Sequence, residues 1–225
     1  MIQLHKFQTT IYDNVELGSG KMVGAQKNRC RSSNTGFVNF DKQSKNINDK
    51  LTSLMFTIDK KYGWNAKLSG YHEDWQMVSY NKNQHYQWHR DTAYKRGYPV
   101  ADRYMSITLL VNEEGVDFEG GEFELDLSVP TYDLTKSRDE LQKIVENNLS
   151  CSEMSVEDMN RIKSVKAPVS KPGDIVVFKA PCRHRVKKVT KGVRKSMVIW
   201  YLSDWGKEWR KKKIKRLKPK IYKGT

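Results

Sequence analysis

Two hydrophobic periodicities divide the chain. In residues 44–64, SKNINDKLTSLMFTIDKKYGW, apolar side chains recur at intervals of three and four, which predicts an amphipathic helix. Its apolar stripe comprises Ile47, Leu51, Leu54, Met55, Ile58 and Tyr62. Ser44 or Asn46 suits the N-cap, and Gly63 ends the helical pattern. We expect the stripe to pack against a sheet.

From about Trp75 the period changes to two, which is typical of strands. Glycine, proline, asparagine and aspartate separate the alternating stretches. Six of them predict strands: WQMVSY, YMSITLLVN, GGEFELDL, GDIVVFKA, HRVKKVT and RKSMVIWYLS. Many short strands after one leading helix favour a mainly β protein with flanking helices (α+β), built as a sandwich or barrel.

Residues 127–170 interrupt the strand pattern. Ser137 with Glu140 forms a capping box before LQKIVENNL, and Ser155 with Asp158 resembles another before MNRIKSV. We therefore expect two short helices in a surface insertion. The predicted organisation is one domain over residues 1–205, including this 127–170 helical insertion, followed by a basic tail over residues 206–225.

Charge is concentrated at the C-terminus. The chain of 225 residues carries a net charge of +15, and its last twenty residues hold ten Lys or Arg against one Glu. Such a tail attracts polyanions through counterion release, which makes nucleic acid a candidate partner. The alternative is a solvated end that aids solubility without a partner of its own.

Other sequence features limit the location and the class of the protein. No apolar run approaches the roughly twenty residues that span a bilayer, so no membrane partner is expected. The start, MIQLHKFQTT, lacks the pattern of a secretory signal, which predicts a cytoplasmic protein. Three scattered cysteines are too few for a disulfide framework or a CxxC zinc site.

Candidate chemistry begins in YQWHRDTAY, residues 86–94. Alternate residues of a strand point to one face, so His89 and Asp91 are suited to converge. The pair alone is a weak signal, but His184 lies at the start of a later predicted strand. Two histidines and one carboxylate form the facial triad of non-haem Fe(II) oxygenases, which leaves positions for a cosubstrate and O₂.

His85 competes for the role of metal ligand. Its spacing of four from His89 would suit a zinc site on a helix, but the segment alternates and has no HExxH glutamate. On a strand, these two residues would lie about 13 Å apart, too far to bind one ion. We expect His85 at the surface or behind the ligands.

A cation follows the third candidate ligand. In RKSMVIWYLS, strand alternation places Arg194, Ser196, Val198 and Trp200 on one face. An inward guanidinium beside a hydroxyl is suited to a buried carboxylate. A metal with open positions and a nearby fixed cation would together fit an α-keto acid, although an isolated Arg is more often a surface residue.

The order and spacing of these segments resemble a known family. YQWHRD, YMSITLLVNEE, FEGGEFEL, KPGDIVVF and HRVKKVTKGVRKSMVIWY are similar to the prolyl 4-hydroxylase group of Fe(II)- and 2-oxoglutarate-dependent dioxygenases, over residues 70–203. The resemblance is to soluble bacterial or phage-type members. It implies a double-stranded β-helix, or jelly roll, with the metal between its two sheets.

The resemblance also implies roles for individual residues. His89, Asp91 and His184 match the catalytic iron ligands, and Arg194 matches the clamp on the distal carboxylate of 2-oxoglutarate. We choose Arg194 over the adjacent Lys195 because of strand parity and the following Ser196. The remaining matches are Tyr80 beside the cosubstrate, Tyr86 at the pocket mouth and Trp200 on the substrate side. Leu110 departs from the pattern, since some relatives place a tyrosine there that binds the cosubstrate.

The activity implied by the resemblance is hydroxylation of peptidyl proline, with release of succinate and CO₂. The implied cofactors are Fe(II), 2-oxoglutarate and O₂, with ascorbate as an additional reductant. Gly120 and Gly121 would allow a peptide to approach closely, although a plain turn explains them equally well. Two alternatives stay open: an oxygenase acting on a nucleic acid base, suggested by the charge, and a non-enzymatic jelly-roll binding protein.

Overall fold

The computed structural model describes residues 18–20, 30–38, 45–64, 68–72, 74–91, 103–128 and 159–203. These residues form one helix, α1 (Lys45–Lys61), and strands that are listed here in chain order. The strands are β1 (Gly18–Gly20), β2 (Arg31–Val38), β3 (Leu68–His72), β4 (Trp75–Asn81), β5 (His85–His89), β6 (Arg103–Leu110), β7 (Phe118–Gly120), β8 (Phe123–Asp126), β9 (Ser164–Lys166), β10 (Ile175–Lys179), β11 (His184–Val186) and β12 (Val189–Ser203).

The predicted helix is confirmed, and it buries the predicted face. Ile47, Leu51 and Met55 are buried in one hydrophobic cluster. The chain leaves the helix through Gly63, whose φ of 59° is left-handed and therefore suits glycine. Tyr62 is 59% exposed, because it follows the last helical residue and leaves the apolar stripe.

Truncation of Met55 tests how much this packing stabilises the fold. Met55 is completely buried, so Met55→Ala should lower the free energy of unfolding by about 2–5 kcal/mol. Urea denaturation measures the change. The neighbouring Phe56 is 45% exposed, so Phe56→Ala is the matched control and should change stability much less. Equal losses from the two variants would contradict the assigned helix face.

The strands pair antiparallel in the order β10-β6-β12-β4-β2-β5-β11-β8-β9. Strand β2 belongs to both halves of this arrangement. Its residues 34–38 pair with β4, whereas Arg31 and Ser32 pair with β5. The shared strand therefore joins the first sheet, which holds β10, β6, β12 and β4, to the second, which holds β5, β11, β8 and β9.

The central strands of the first sheet are buried on both faces, and alternation separates two environments. Odd-numbered residues of β4, β6 and β12, such as Met77, Ile107 and Ile199, pack with α1 in the first cluster. Even-numbered residues of the same strands face the opposite side, where Val78 and Leu110 join residues from the second sheet. The side facing the second sheet is the one that contains the candidate chemistry.

Five of the six predicted strands are confirmed. The sixth, HRVKKVT, is divided between β11 and the start of β12. One predicted helix is wrong in part. The segment MNRIKSV is helical only at residues 159–160, and Ser164–Lys166 form β9, which pairs with β8. The predicted helix over LQKIVENNL and the basic tail over residues 206–225 lie outside the described residues. Within the part of the chain that the structure describes, no helix is long and apolar enough to cross a membrane.

Candidate metal centre

The structure brings His89, Asp91 and His184 together. His89 ends β5, His184 begins β11, and the two residues are direct partners across the antiparallel pair. Asp91 lies beyond the end of β5, so strand alternation does not explain its position. Instead, its backbone N–H donates to the carbonyl of Ala180 at 3.0 Å. This contact holds Asp91 beside the paired histidines.

The ligand atoms of the three side chains converge. Asp91 Oδ1 lies 3.8 Å from His89 Nε2 and 3.5 Å from His184 Nε2. All three side chains are buried, and their candidate ligand atoms lie within 4.8 Å of one another. This is the group among the described residues that could hold a metal ion. His85 is not part of it; its Nδ1 lies 3.4 Å from the Asn83 carbonyl.

Hydrogen bonds orient both imidazole rings. His89 Nδ1 lies 2.7 Å from the carbonyl oxygen of Gln87, and His184 Nδ1 lies 3.0 Å from that of Cys182. A carbonyl only accepts, so each Nδ1 carries the hydrogen and donates it. Each Nε2 is consequently left with its lone pair, which is the state that binds a metal.

The charge states also suit a cation. Burial lowers the pKa of His89 well below its ordinary value, and nearby His184 lowers it further. Burial alone would raise the pKa of Asp91, but His184, His89 and Arg103 outweigh it and hold that pKa well below its usual range. At neutral pH the site therefore contains a neutral His89 and an ionised Asp91.

The three residues open onto a pocket between the two sheets. The predicted site residues Tyr80, Tyr86, Ser196 and Trp200 all line it. Arg194 is 1% exposed and lies behind this wall, where its Nη1 donates to Ser196 Oγ at 3.0 Å. The guanidinium carbon lies 5.9 Å from the Tyr80 ring centroid. Arg194 is thus buried against two pocket residues, whereas Lys195 is half-buried on the other strand face.

A β-bulge brings Tyr86 to the metal-binding face. His184 and Val186, two residues apart on β11, pair with His89 and Tyr86, which are three apart on β5. The extra residue reverses the parity of β5. Tyr86 therefore stacks on His89, with ring centroids 3.3 Å apart. Burial raises the pKa of Tyr86 to about 12, so its phenol is neutral at ordinary pH.

Aromatic rings and arginine side chains lie together on both sides of the pocket. Trp200 is 4% exposed, and the guanidinium carbon of Arg103 lies 3.6 Å from its ring centroid. Across the pocket, Arg31 lies 4.6 Å from the Tyr86 centroid and donates to Ser33 Oγ and Gln76 Oε1. A guanidinium group over an aromatic ring is a favourable contact. Arg31 and Arg103 also bring positive charge to the pocket.

The glycines of FEGGEFEL serve internal packing. Gly120 and Gly121 have φ of 71° and 67°. A Cβ at Gly120 would lie 2.6 Å from the Lys188 carbonyl oxygen, and one at Gly121 would lie 2.9 Å from Arg194 Cδ. These contacts explain both glycines within the chain, so they give no support to a peptide approaching at this point.

The sequence analysis missed several residues that line the pocket: Arg31, Gln76, Arg90, Arg103 and Thr108. It also missed Ser106, a buried residue whose hydroxyl donates to Asp91. Gln76, Ser106 and Thr108 share the even-numbered parity of their strands with Tyr80 and Trp200, so parity was the available signal. Arg31 lies on β2, which was not predicted as a strand. Leu110, where a tyrosine was expected in some relatives, is buried in the second cluster, and Thr108 supplies a hydroxyl on the same strand face.

Comparison with known families decides the class of protein. The family model described as the 2OG-Fe(II) oxygenase superfamily matches residues 75–202, which include every candidate site residue from Tyr80 to Trp200. The chain belongs to this superfamily. No curated protein sequence matches the chain.

Solved structures of other 2OG-Fe(II) oxygenases have a similar fold. A Pseudomonas putida prolyl-4-hydroxylase is 12% identical, with a TM-score of 0.55 and coverage of 89% of this chain and 86% of that one. A Trichoplax adhaerens prolyl hydroxylase, in complex with a hypoxia inducible factor peptide fragment, is 14% identical, with a TM-score of 0.57 and coverage of 92% and 80%. The epimerase SnoN from nogalamycin biosynthesis is 11% identical, with a TM-score of 0.56 and coverage of 89% and 74%.

These matches confirm the predicted double-stranded β-helix. Membership of the 2OG-Fe(II) oxygenases implies Fe(II), 2-oxoglutarate and O₂ as cofactors. The residues present fit them, because two bare imidazole nitrogens and a carboxylate oxygen are ligands that suit Fe(II). Relatives with the same fold include both hydroxylases and an epimerase, so the fold by itself does not name the substrate.

Proposed function

We propose that the chain is a 2-oxoglutarate-dependent hydroxylase of peptidyl proline, with His89, Asp91 and His184 as the ligands of Fe(II). The observation that carries this proposal is the buried convergence of the two Nε2 atoms and Asp91 Oδ1. When bound, Fe(II) and 2-oxoglutarate activate O₂, so that one oxygen atom enters a substrate C–H bond and the other enters succinate, with loss of CO₂.

The cosubstrate end of the pocket is assigned to Arg194, Ser196 and Tyr80. Arg194 is a fixed guanidinium, because its Nη1 bonds to Ser196 and its strand neighbour across the sheet is Tyr80. Burial raises the pKa of Tyr80, although Arg31 and Arg194 oppose this effect, so Tyr80 stays a neutral hydrogen-bond donor. A buried cation beside the Ser196 hydroxyl and the Tyr80 ring suits the distal carboxylate of 2-oxoglutarate.

The substrate end is assigned to Tyr86 and Trp200. Their rings give a proline side chain apolar surface near the proposed iron, and both line the pocket. The prolyl hydroxylase from Trichoplax adhaerens, which shares the fold, is in complex with a peptide fragment. This likeness supports a peptide as the substrate class. Ascorbate, as an additional reductant, and a cytoplasmic location stay predictions.

The proposal is tested in two stages. Protein purified without oxygen should develop a visible charge-transfer band when Fe(II) and 2-oxoglutarate are added. Failure to do so would favour the non-enzymatic binding protein. Succinate release is then measured with proline-rich peptides and with oligonucleotides, and mass spectrometry locates an added oxygen atom. Stimulation by oligonucleotides alone would replace the prolyl substrate with a nucleic acid base, as the net charge of +15 first suggested.

Gly121 provides a test of the assigned clamp without altering a polar side chain. A Cβ at Gly121 would press on Arg194 Cδ and Val189 Cγ2, both 2.9 Å away. Gly121→Ala should therefore displace Arg194 and raise the KM for 2-oxoglutarate on the order of tenfold, less than the roughly hundredfold effect of a full 1 Å misplacement. Steady-state succinate assays measure the change.

Gly115 is the matched control for this substitution. Its φ of 86° imposes a similar backbone strain on alanine, but a Cβ there meets nothing within 4 Å. Gly115→Ala should therefore lower stability while it leaves the KM for 2-oxoglutarate unchanged. If both alanine variants change KM equally, the effect comes from backbone strain and not from the contact with Arg194.

A further inference from the structure

The second oxygen of Asp91 is held by a serine that the sequence did not indicate. Ser106 Oγ lies 2.7 Å from Asp91 Oδ2, and the serine is completely buried. We propose that Ser106 is a positioning residue, which holds Asp91 Oδ2 away from the metal position so that Asp91 offers one oxygen, Oδ1. This inference rests on the proposed iron site.

The direction of the hydrogen bond follows from the chemistry of the two groups. The hydroxyl of Ser106 is a donor, and a carboxylate oxygen accepts, so the bond runs from Ser106 Oγ to Asp91 Oδ2. A hydrogen bond to a charged acceptor is about twice as strong as one between neutral groups. The bond therefore fixes the rotation of the carboxylate about its Cβ–Cγ axis.

Ser106 is well placed to resist displacement. It lies in the middle of β6, where its backbone is paired with Phe178 on one side and Trp200 on the other. Its sequence neighbours Met105 and Ile107 are fully buried in the opposite cluster. Ser106 therefore lies on a strand that is paired on both sides and packed against the core. Its hydroxyl is a rigid partner for the side chain of Asp91, which lies beyond the end of β5.

Holding one carboxylate oxygen has a consequence for the number of open positions. A carboxylate can bind a metal through one oxygen or through two. With Oδ2 engaged by Ser106, the oxygen that faces His89 and His184 is Oδ1, at 3.8 and 3.5 Å. The three side chains would then supply three ligand atoms, which would leave positions on the ion for a keto acid and O₂.

The backbone of Asp91 is held separately, which allows the role of the hydroxyl to be isolated. Asp91 N–H donates to Ala180, and Arg103 Nη1 donates to the Asp91 carbonyl at 3.2 Å. Loss of the Ser106 hydroxyl should therefore free the carboxylate to rotate without moving the chain. The expected defect is in metal affinity, whereas a serine with a purely structural role would affect stability alone.

The experiment compares Ser106→Ala with wild type by anaerobic Fe(II) titration, without substrate, beside thermal unfolding of the metal-free protein. We expect Fe(II) to bind about 10- to 100-fold more weakly, the usual effect of removing a partner of a metal ligand. Ser79→Ala is the control, because Ser79 is also buried in the same sheet but occupies an odd-numbered position of β4, on the face away from Asp91. Its Fe(II) affinity should stay within about twofold of wild type, since the control leaves the partners of Asp91 intact.

A second pair of variants keeps the test decisive if alanine unfolds the protein. Ser106→Thr and Ser106→Val add the same bulk and differ only in the hydroxyl, so Thr should bind Fe(II) at least tenfold more tightly than Val. The inference would be overturned if Ser106→Ala bound Fe(II) as tightly as Ser79→Ala, and Ser106→Val as tightly as Ser106→Thr. That result would leave the proposed iron site intact. A wild-type protein that binds no Fe(II) would overturn the iron site and this inference together.

Discussion

The His184→Ala variant should lose Fe(II) binding and 2-oxoglutarate turnover by at least about a hundredfold. Removing a partner of a metal ligand already costs about 10- to 100-fold, and His184 is itself a proposed ligand. Two side chains would remain, and His89 would lose the ring that lies 4.1 Å from its own. Anaerobic Fe(II) titration and the charge-transfer band measure the loss directly.

His85→Ala is the control for this prediction. His85 is half-buried at the start of β5 and lies outside the group that could hold a metal. Its removal should leave Fe(II) affinity close to that of wild type. A band that survives in His184→Ala but disappears in His85→Ala would exchange the roles of the two histidines and refute the proposed site.

Replacing Arg194 by alanine should raise the KM for 2-oxoglutarate about thirtyfold or more. Truncating one partner of a buried, hydrogen-bonded charge pair costs about 2–5 kcal/mol, and each 1.4 kcal/mol is tenfold. Arg194 is 1% exposed, so water could not easily replace the proposed contact with the 2-oxoglutarate carboxylate. Arg194→Lys keeps the charge but loses the planar fork, so its KM should lie between those of wild type and Arg194→Ala.

Two further variants serve as controls for the effect of Arg194→Ala. Lys195→Ala removes the adjacent cation, which is on the other strand face, and should leave the KM for 2-oxoglutarate unchanged. Arg31→Ala removes the cation that lies over Tyr86. If KM rises in Arg31→Ala and not in Arg194→Ala, the cosubstrate is bound from β2 and the assignment of the clamp is wrong.

Parity along the strands allowed much of the first sheet to be predicted. Where a strand is buried on both faces, alternation still separates the residues that meet α1 from those that meet the pocket, and this placed Ser196 and Trp200 on the pocket face. Strand β2 was missed because RSSNTGFV is largely polar and has no apolar alternation. Its strand conformation depends on pairing with β4 and β5, which are distant in sequence.

The candidate ligands could be predicted because their chemistry is scarce: five histidines limit the combinations that suit a metal. The contacts that support these ligands could not be predicted. A serine at position 106 is an ordinary strand residue until Asp91 is known to lie 2.7 Å away. The bulge that turns Tyr86 towards His89 depends on the register between β5 and β11, and a single sequence does not reveal register.

The direct pairing of His89 with His184 across β5 and β11 also affects the stability of the second sheet. An ion held by both side chains would tie together two strands whose histidines are 95 positions apart in the chain. In thermodynamic terms it would act as a reversible cross-link that closes a long loop, present only in the folded state. Iron supply would then govern how long this protein resists unfolding, as well as how fast it works.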